Sequence, residues 1–151
     1  MRYTTEIEID IPRNEFVKIL DIPENMKHWQ RGLTGYTILS GTAGHEGSKM
    51  ELRYKFGKRD MVLIETILKR NMPYEFHVTY DTKGVHNIQK NYFKDIDGRS
   101  TIWISESEFR FSSFFMKAIG FLMPGSFKNQ SRIYAQDFKA YAEKGTSVTN
   151  Q

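Results

Sequence analysis

The chain of 151 residues contains no cysteine. This absence excludes disulfide bonds, a thiolate nucleophile and any zinc or iron–sulfur site that depends on cysteine ligands, and it is compatible with a reducing compartment. The opening segment MRYTTEIEID has no apolar stretch of the kind found in signal peptides. No apolar run approaches the roughly 20 residues that span a bilayer. We therefore expect a soluble, cytoplasmic protein without stable membrane insertion.

Histidine is also scarce, and the sequence shows no obvious catalytic cluster. The four histidines are His28, His45, His77 and His86. None of them stands four residues from another, as the ligands of a helical metal site do. The glycine–serine elbow of serine hydrolases is absent as well. The sequence thus predicts no metal centre and no cofactor, and it leaves catalytic residues unassigned.

Neither sign of charge dominates the sequence. Lysine and arginine number 22 against 18 aspartate and glutamate residues, which gives a net charge of +4. The one dense basic run, from Arg53 to Arg59, alternates with aromatic residues, as nucleic-acid surfaces do. A hairpin with a charged solvent face explains the run equally simply, and we favour that explanation. We therefore expect no nucleic-acid partner, and a nucleic-acid or protein interaction module remains a second alternative function.

The order of the predicted elements indicates an α+β fold. Residues 3–11 alternate as a half-buried strand, and short helices are predicted over 14–20 and 24–30. From residue 36 to residue 111, apolar and polar residues alternate with a period of two, as in β-strands. The six predicted strands cover residues 36–42, 48–56, 60–69, 74–81, 85–94 and 101–111. Because every link between them is short, the strands form an antiparallel meander.

A long helical segment follows the last predicted strand. It begins after a serine cap at 112 or 113 and is interrupted near Gly120 or Pro124. It resumes with an apolar stripe and a polar face. The stripe contains Phe127, Ser131, Tyr134, Phe138 and Tyr141, and the polar face contains Lys128, Arg132, Asp137 and Lys139. Gly145 ends the helix, so we expect one domain over residues 1–144 and a disordered tail over 145–151.

A single long helix after hairpin-linked strands can bury its stripe only on the sheet, which must curl around it. This arrangement leaves a cavity between helix and sheet, and the aromatic content of 14% and the seven methionines suit an apolar lining. Residues 113–124 are apolar nearly all round, and we expect them to line this interior. A movable portal and a membrane contact are the alternatives for that segment.

Several short motifs, taken in order, carry a resemblance to a known superfamily. They are Ile9-Asp10-Ile11-Pro12, Trp29, Gly47, Glu65-x-Ile67 with Met72-Pro73-Tyr74-Glu75-Phe76, Asp97-Gly98-Arg99-Ser100-Thr101, and Phe138-Lys139-Ala140-Tyr141. Over residues 1–144 the chain resembles the SRPBCC superfamily, which includes START lipid-transfer domains, the birch-pollen-allergen family and bacterial polyketide cyclase/dehydrase-like proteins. The resemblance implies a helix-grip fold, in which a seven-stranded antiparallel sheet curls around a long C-terminal helix and two short helices follow the first strand.

The resemblance also implies an enclosed site for a hydrophobic or amphipathic small molecule, such as a lipid, sterol, polyketide or aromatic compound. Only some members of the superfamily are enzymes. Binding, including transport or sequestration, is therefore the function that we expect. A polyketide cyclase or dehydratase with Glu65, Tyr54 or Tyr134 as acid or base is the first alternative.

Strand parity decides which side chains face the predicted cavity. Glu65 shares a face with Met61, Leu63 and Ile67, but the opposite face is equally apolar, so the parity of this strand stays open. If Glu65 faces the cavity, burial raises its pKa and makes it a candidate acid, base or polar anchor. On the last strand we expect one face, with Trp103, Ser105, Ser107 and Phe109, to point inward. The other face carries two carboxylates and an arginine, which are less costly to place in water.

The candidate ligand-binding residues share an expected position on the inner face of the sheet, on the second short helix, or on the long helix. They are Trp29, Met50, Leu52, Tyr54, Phe56, Leu63, Glu65, Phe76, Val78, Trp103, Ser105, Phe115, Ile119, Met123, Phe127, Ser131 and Tyr134.

Overall fold

The computed structural model describes residues 1–150, apart from the side chains of Pro124 and Asn150. Its seven strands are β1 (Arg2–Ile9), β2 (Leu33–Ser40), β3 (Lys49–Phe56), β4 (Arg59–Asn71), β5 (Glu75–Thr82), β6 (Val85–Ile96) and β7 (Ser100–Phe111). They form one sheet in the order β1-β7-β6-β5-β4-β3-β2, and every neighbouring pair is antiparallel. The predicted six-strand meander and the seven-stranded antiparallel sheet are both confirmed, and β1 pairs with β7.

The helices also occupy the predicted places. They are α1 (Arg13–Leu20), α2 (Met26–Trp29), α3 (Phe114–Leu122) and α4 (Pro124–Lys144), and 3-10 turns cover Pro23–Asn25 and Val148–Asn150. The helix-grip arrangement, with two short helices after β1 and one long helix near the C-terminus, is therefore confirmed. The first strand ends at Ile9 because the Ile11 amide donates to the Ile9 carbonyl oxygen at 2.9 Å and turns the chain before Pro12.

An aromatic cluster around Phe138 holds α4 against the rest of the fold. The fully buried Phe138 ring lies 5.0 Å from the Phe16 ring of α1, measured between centroids. The Trp29 ring of α2 is 5.2 Å away and the Trp103 ring of β7 is 5.4 Å away, and both pack edge to face. Such tilted and edge-to-face pairs are the preferred geometries of aromatic rings. Four elements thus converge on one side chain.

The break between α3 and α4 lies at Met123, whose backbone is not helical, and Pro124 begins α4. Gly120, expected to interrupt the helix, instead lies inside α3 and is buried. A Cβ atom added at Gly120 would come within 2.6 Å of the Phe111 ring. The glycine therefore permits close packing of α3 on β7 and does not end the helix.

Asp137, expected on the polar face of the long helix, and His77 on the outer face of the sheet are both buried. Asp137 accepts hydrogen bonds from Arg31 at 2.7 and 3.0 Å, so this ion pair joins α4 to the segment after α2. His77 lies on the outer face of β5, where the Tyr92 ring packs edge-on against it with a centroid distance of 5.2 Å. In both cases a residue distant in the sequence buries the polar side chain. The periodicity of the sequence does not reveal such a contact.

The segment after α4 differs from the disordered tail expected over residues 145–151. Gly145 adopts a left-handed backbone conformation with φ 70° and ends α4. Ser147 is buried, and its hydroxyl oxygen lies 2.8 Å from Nδ1 of His28 on α2. Residues 146–150 thus pack against α2, and Gln151 lies outside the described residues.

We expect Phe138→Ala to lower the free energy of unfolding by about 3–5 kcal/mol, because it leaves a cavity at the meeting point of four elements. The matched control is Phe121→Ala, which removes the same ring from a position that is 85% exposed. Its effect should stay within about 0.5 kcal/mol. Urea denaturation measures both values, and similar losses in the two variants would contradict the assigned core.

Candidate functional site

The structure settles the parity of β4. Glu65 and Ile67 are buried on the side of the sheet that faces the helices. Val62 and Leu68, which have the opposite parity, are 44% and 49% exposed. Glu65 therefore points toward the concave face of the sheet, which was one of the two orientations left open by the sequence.

The parity of β7 agrees with the expectation from its charges. Trp103, Ser105 and Ser107 are buried, whereas Glu106 is exposed and Glu108 pairs with Arg2 at 2.9 Å on the outer face. The neighbouring strand β6 presents three amide side chains to the same concave face. These are Asn87, Gln89 and Asn91, which pair in register with Phe109, Ser107 and Ser105 of β7.

The register of the strands joins these polar side chains into one continuous surface. We call this surface the polar band. It consists of Tyr3, Thr5, Glu65, Tyr80, Asn87, Gln89, Asn91, Ser105 and Ser107. It crosses the concave face from β4 to β1, between apolar residues at both ends of the strands. The lining is thus more polar than the apolar cavity that the sequence predicts.

Glu65 is the titratable group of greatest interest in the polar band. Burial raises its pKa from an ordinary value near 4.5 to about 7, because the carboxylate loses its hydration. Tyr80, directly opposite on β5, offsets part of this rise in pKa through its hydroxyl group. Both the neutral and the charged form of Glu65 are therefore present near neutral pH.

Two tyrosines, Tyr54 and Tyr134, were predicted as alternative acid or base groups. Burial raises the pKa of each hydroxyl above its ordinary value, and the Tyr134 and Glu65 groups add to this effect at Tyr54. Both phenols consequently stay protonated at neutral pH and act as hydrogen-bond donors, so neither is suited to act as a base. The Tyr54 hydroxyl donates a hydrogen bond to the side-chain oxygen of Gln30, a residue that the sequence pattern did not identify.

The amides of the polar band are largely satisfied within the sheet. Asn91 accepts from the Trp103 indole at 2.9 Å and donates to the Phe76 carbonyl at 3.1 Å, and Asn87 donates to the Glu108 carbonyl at 3.1 Å. The buried hydroxyls of Ser105 and Ser107, in contrast, have no hydrogen-bond partner of good geometry within residues 1–150. Burial raises the pKa of Tyr3, and the nearby Ser107 hydroxyl nevertheless offsets part of this rise. Both serine hydroxyls lie on the concave face with hydrogen-bonding capacity unused, and both are closed to water.

Ser131 and Phe127 attach α4 to the rim of the concave face. The Ser131 hydroxyl lies 2.6 Å from the hydroxyl of Tyr3 on β1. The Phe127 ring packs on Phe109 and Phe111 of β7, with centroid distances of 4.9 and 5.7 Å. Tyr3 was not predicted as a site residue. Its position on the same face of β1 as Ile7 and Ile9 could have identified it as inward-facing.

The predicted apolar residues divide into a packed group and an accessible group. Trp29, Leu52, Val78 and Trp103 are buried in the core. Met50, Leu63 and Phe76 face the same side but are only partly buried, as are Tyr80 and Gln89 of the polar band. Partial exposure on an inward face means that water-sized space adjoins these side chains. Phe56, at the end of β3, is more exposed and stacks on Tyr54.

Two clefts open elsewhere on the molecule. One, of about 290 Å³, adjoins Asp21, Arg70 and residues 43–45, and the other, of about 260 Å³, lies between residues 81–86 and 110–112. Neither lies between α4 and the sheet. The site is therefore a concave surface with partly accessible side chains, and the closed cavity predicted from the sequence remains a prediction.

The expected lining role of α3 is wrong for two residues. Phe115 and Met123 are 72% and 55% exposed and project away from the sheet, while Ile119 is partly buried. The cause is the close contact of Gly120 with Phe111, which turns the opposite face of α3 outward.

No helix within residues 1–150 is long and apolar enough to cross a membrane, and no group of three or more metal-ligating side chains forms among them.

Comparison with known proteins identifies the fold. No protein-family model and no curated protein matches the chain, but many solved structures do. Ara h 8.0201 is 15% identical and superimposes with a TM-score of 0.72 over 94% of this chain and 98% of its own. A conserved protein from Geobacillus kaustophilus is 12% identical, with a TM-score of 0.78 over 95% and 96% of the two chains.

A third similar structure is norcoclaurine synthase from Thalictrum flavum in complex with dopamine and hydroxybenzaldehyde. It is 14% identical, with a TM-score of 0.66 over 92% of this chain and 84% of its own. At such low identities the similarity establishes the fold alone. The chain has the same Bet v 1-like helix-grip fold as these structures, so the fold implied by the resemblance is confirmed.

The raised pKa of Glu65 predicts a specific pH dependence of stability. An unfolded chain releases the Glu65 proton near pH 4.5, whereas the folded protein holds it to about pH 7. The folded state is therefore destabilised as pH rises between these values, by on the order of 3 kcal/mol when the carboxylate is fully charged. We expect Glu65→Gln to gain stability relative to the wild type as pH rises from 5 to 8.

Urea denaturation of both proteins at several pH values measures this difference. The matched control is Glu51→Gln on β3, because Glu51 points to the outer face and pairs with Arg53. Parallel stability curves for the wild type and Glu65→Gln would contradict the burial of the carboxylate.

Proposed function

We propose that this protein binds an amphipathic small molecule on the concave face of its sheet. The molecule has an apolar or aromatic body that lies on Leu63 and Phe76, and hydroxyl or carbonyl groups that meet the polar band. Burial of the apolar body supplies about 25 cal/mol per Å² of buried area, and the polar groups set the orientation. Transport and sequestration are both compatible with such binding.

The observation that carries this proposal is the pair of buried, unpartnered hydroxyls of Ser105 and Ser107. Each leaves hydrogen-bonding capacity unused in a buried position, which typically costs about 1–3 kcal/mol. Ligand oxygen atoms that accept a hydrogen bond from each hydroxyl remove this cost. Glu65 and Tyr80 lie farther across the same face and offer a second polar contact, so the ligand carries polar groups at more than one position.

The solved structures of the same fold support an aromatic ligand. The Thalictrum flavum enzyme was solved with dopamine and hydroxybenzaldehyde, both of which combine an aromatic ring with polar substituents. The polar band of this protein fits the same combination better than a purely hydrocarbon lipid, because an alkyl chain leaves the two serine hydroxyls unsatisfied.

Binding of 2-naphthol, a fluorescent probe with one aromatic body and one hydroxyl group, tests this proposal. We expect the double variant Ser105→Ala/Ser107→Ala to bind it about tenfold more weakly than the wild type, since two neutral hydrogen bonds contribute about 1.4 kcal/mol together. The control is Thr66→Ala, which removes a hydroxyl from the outer face of β4. Equal affinities for all three proteins would contradict a site at the two serines.

Native mass spectrometry of the protein purified from its own host identifies the natural ligand. A co-purified compound with an aromatic or polycyclic body and oxygen substituents is the expected result. A saturated acyl lipid would contradict the proposed role of the polar band.

The second candidate function is acid–base catalysis, and the pKa of Glu65 near 7 favours it. The best general bases have pKa values close to the working pH. In a cyclase or dehydratase reaction on a polyketide-like substrate, the Glu65 carboxylate removes a proton next to a carbonyl group. The protonated Tyr80 hydroxyl donates a hydrogen bond to the developing oxygen anion, because burial and the adjacent Glu65 keep its pKa high.

Turnover of a β-keto thioester by the wild type and Glu65→Gln distinguishes the two functions. An enzyme should lose at least about a hundredfold in kcat through this change, and its kcat should rise with pH through about 7. A binding protein shows no turnover in either form while both still bind 2-naphthol. Equal turnover by both forms would exclude Glu65 as the base.

A further inference from the structure

One face of α3 is apolar and exposed over its whole length. This face, which we call the α3 apolar face, consists of Phe114, Phe115, Phe121 and Leu122. Phe114 and Leu122 are 89% and 74% exposed, and the two other phenylalanines are exposed to a similar degree. Large apolar side chains that stand together on a surface typically mark an interaction site.

The packing of α3 fixes this exposure. Its inner side rests on β7 through Gly120, where a side chain would collide with the Phe111 ring. The Ser113 hydroxyl accepts a hydrogen bond from the Met116 amide at 3.1 Å and caps the helix. Because positions three, four and seven apart share a helix face, the aromatic residues on the other side point outward together. The α3 apolar face is therefore presented by an attached and capped helix.

The charged residues within the segment that contains α3 are all of one sign. From residue 109 to residue 136 the sequence contains no aspartate or glutamate. Lys117 is exposed on α3 itself, and Lys128 and Arg132 follow on the first turns of α4. Arg110 lies nearby but is paired with Glu108 at 3.2 Å. The segment thus combines apolar side chains with cations that have no acidic neighbour in the sequence.

The combination of apolar side chains and positive charges with no acidic neighbour in the sequence determines which partner can cover the α3 apolar face. In a symmetric dimer formed through α3, each copy would bring Lys117 against the same positive surface, with no carboxylate in the segment to pair with it. The surface of an anionic bilayer offers both an apolar layer and negative headgroups. We propose that α3 docks the protein on an anionic lipid membrane, with the α3 apolar face in the boundary between headgroups and acyl chains.

Flotation of the full chain with lipid vesicles tests the proposal. We expect the wild type to float with phosphatidylcholine vesicles that contain phosphatidylglycerol, and at least about tenfold less with phosphatidylcholine alone. The double variant Phe114→Ser/Phe121→Ser should lose at least about tenfold in partitioning onto the anionic vesicles. Lys117→Glu should weaken the same binding and reduce its dependence on salt.

The control variant is Val62→Ser/Leu68→Ser, which makes the same kind of change at two exposed apolar residues on the outer face of β4. It should float as the wild type does. Circular dichroism of each variant verifies that it is folded.

Three results would overturn the proposal. The first is a wild type that stays in solution with anionic vesicles, and the second is equal loss of flotation in the α3 and control variants. The third is dimerisation of the wild type in analytical ultracentrifugation that the α3 variant abolishes, without vesicle binding, because it would identify a second copy as the occupant.

Discussion

The attachment of α4 at two separate places is the constraint on which the rest of this structure depends. Near its C-terminal end the Phe138 ring is enclosed by Phe16, Trp29 and Trp103. Near its N-terminal end Phe127 packs on the aromatic rings at the end of β7. Between these attachments the Ser131 hydroxyl lies 2.6 Å from the hydroxyl of Tyr3 on β1, and Ala135 is buried in the core. The helix lies closest to β1, and the inward side chains of Leu63, Phe76 and Gln89 on β4 to β6 are only partly buried.

The composition of that inner face determines what it can bind. A sheet that only had to pack against a helix would present apolar residues on every inward position, because an unsatisfied polar group costs free energy when it is buried. Here β6 presents amides, β7 presents serines, and β4 presents a carboxylate whose burial raises its pKa. The amides of Asn87 and Asn91 are hydrogen-bonded inside the protein. In the proposed function, the serine hydroxyls and the Glu65–Tyr80 pair are the groups that contact the bound molecule.

The alternation of the strands and their short links predicted an antiparallel meander curled around one long helix, since such a chain has few arrangements. The seven-stranded helix-grip arrangement followed from the resemblance to a known superfamily. The parity of β7 was also predictable from its charges. The parity of β4 was not, because both of its faces are apolar and only the register with β5 decides. The features that could not be predicted depend on contacts between residues distant in the sequence. The contact of Gly120 with Phe111 turns the apolar face of α3 outward, and the ion pair with Arg31 covers Asp137.

The central claim is that the concave face near β6 stays accessible beneath α4, and the lack of cysteine permits a direct measurement. Cysteine introduced at Gln89 would be the single thiol in the protein. The account predicts that it reacts readily with methyl methanethiosulfonate and that 2-naphthol slows the reaction, while cysteine at the fully buried Thr101 reacts only on unfolding. Equally slow reaction at both positions, with no effect of 2-naphthol, would show that the helix closes the sheet and would contradict the account.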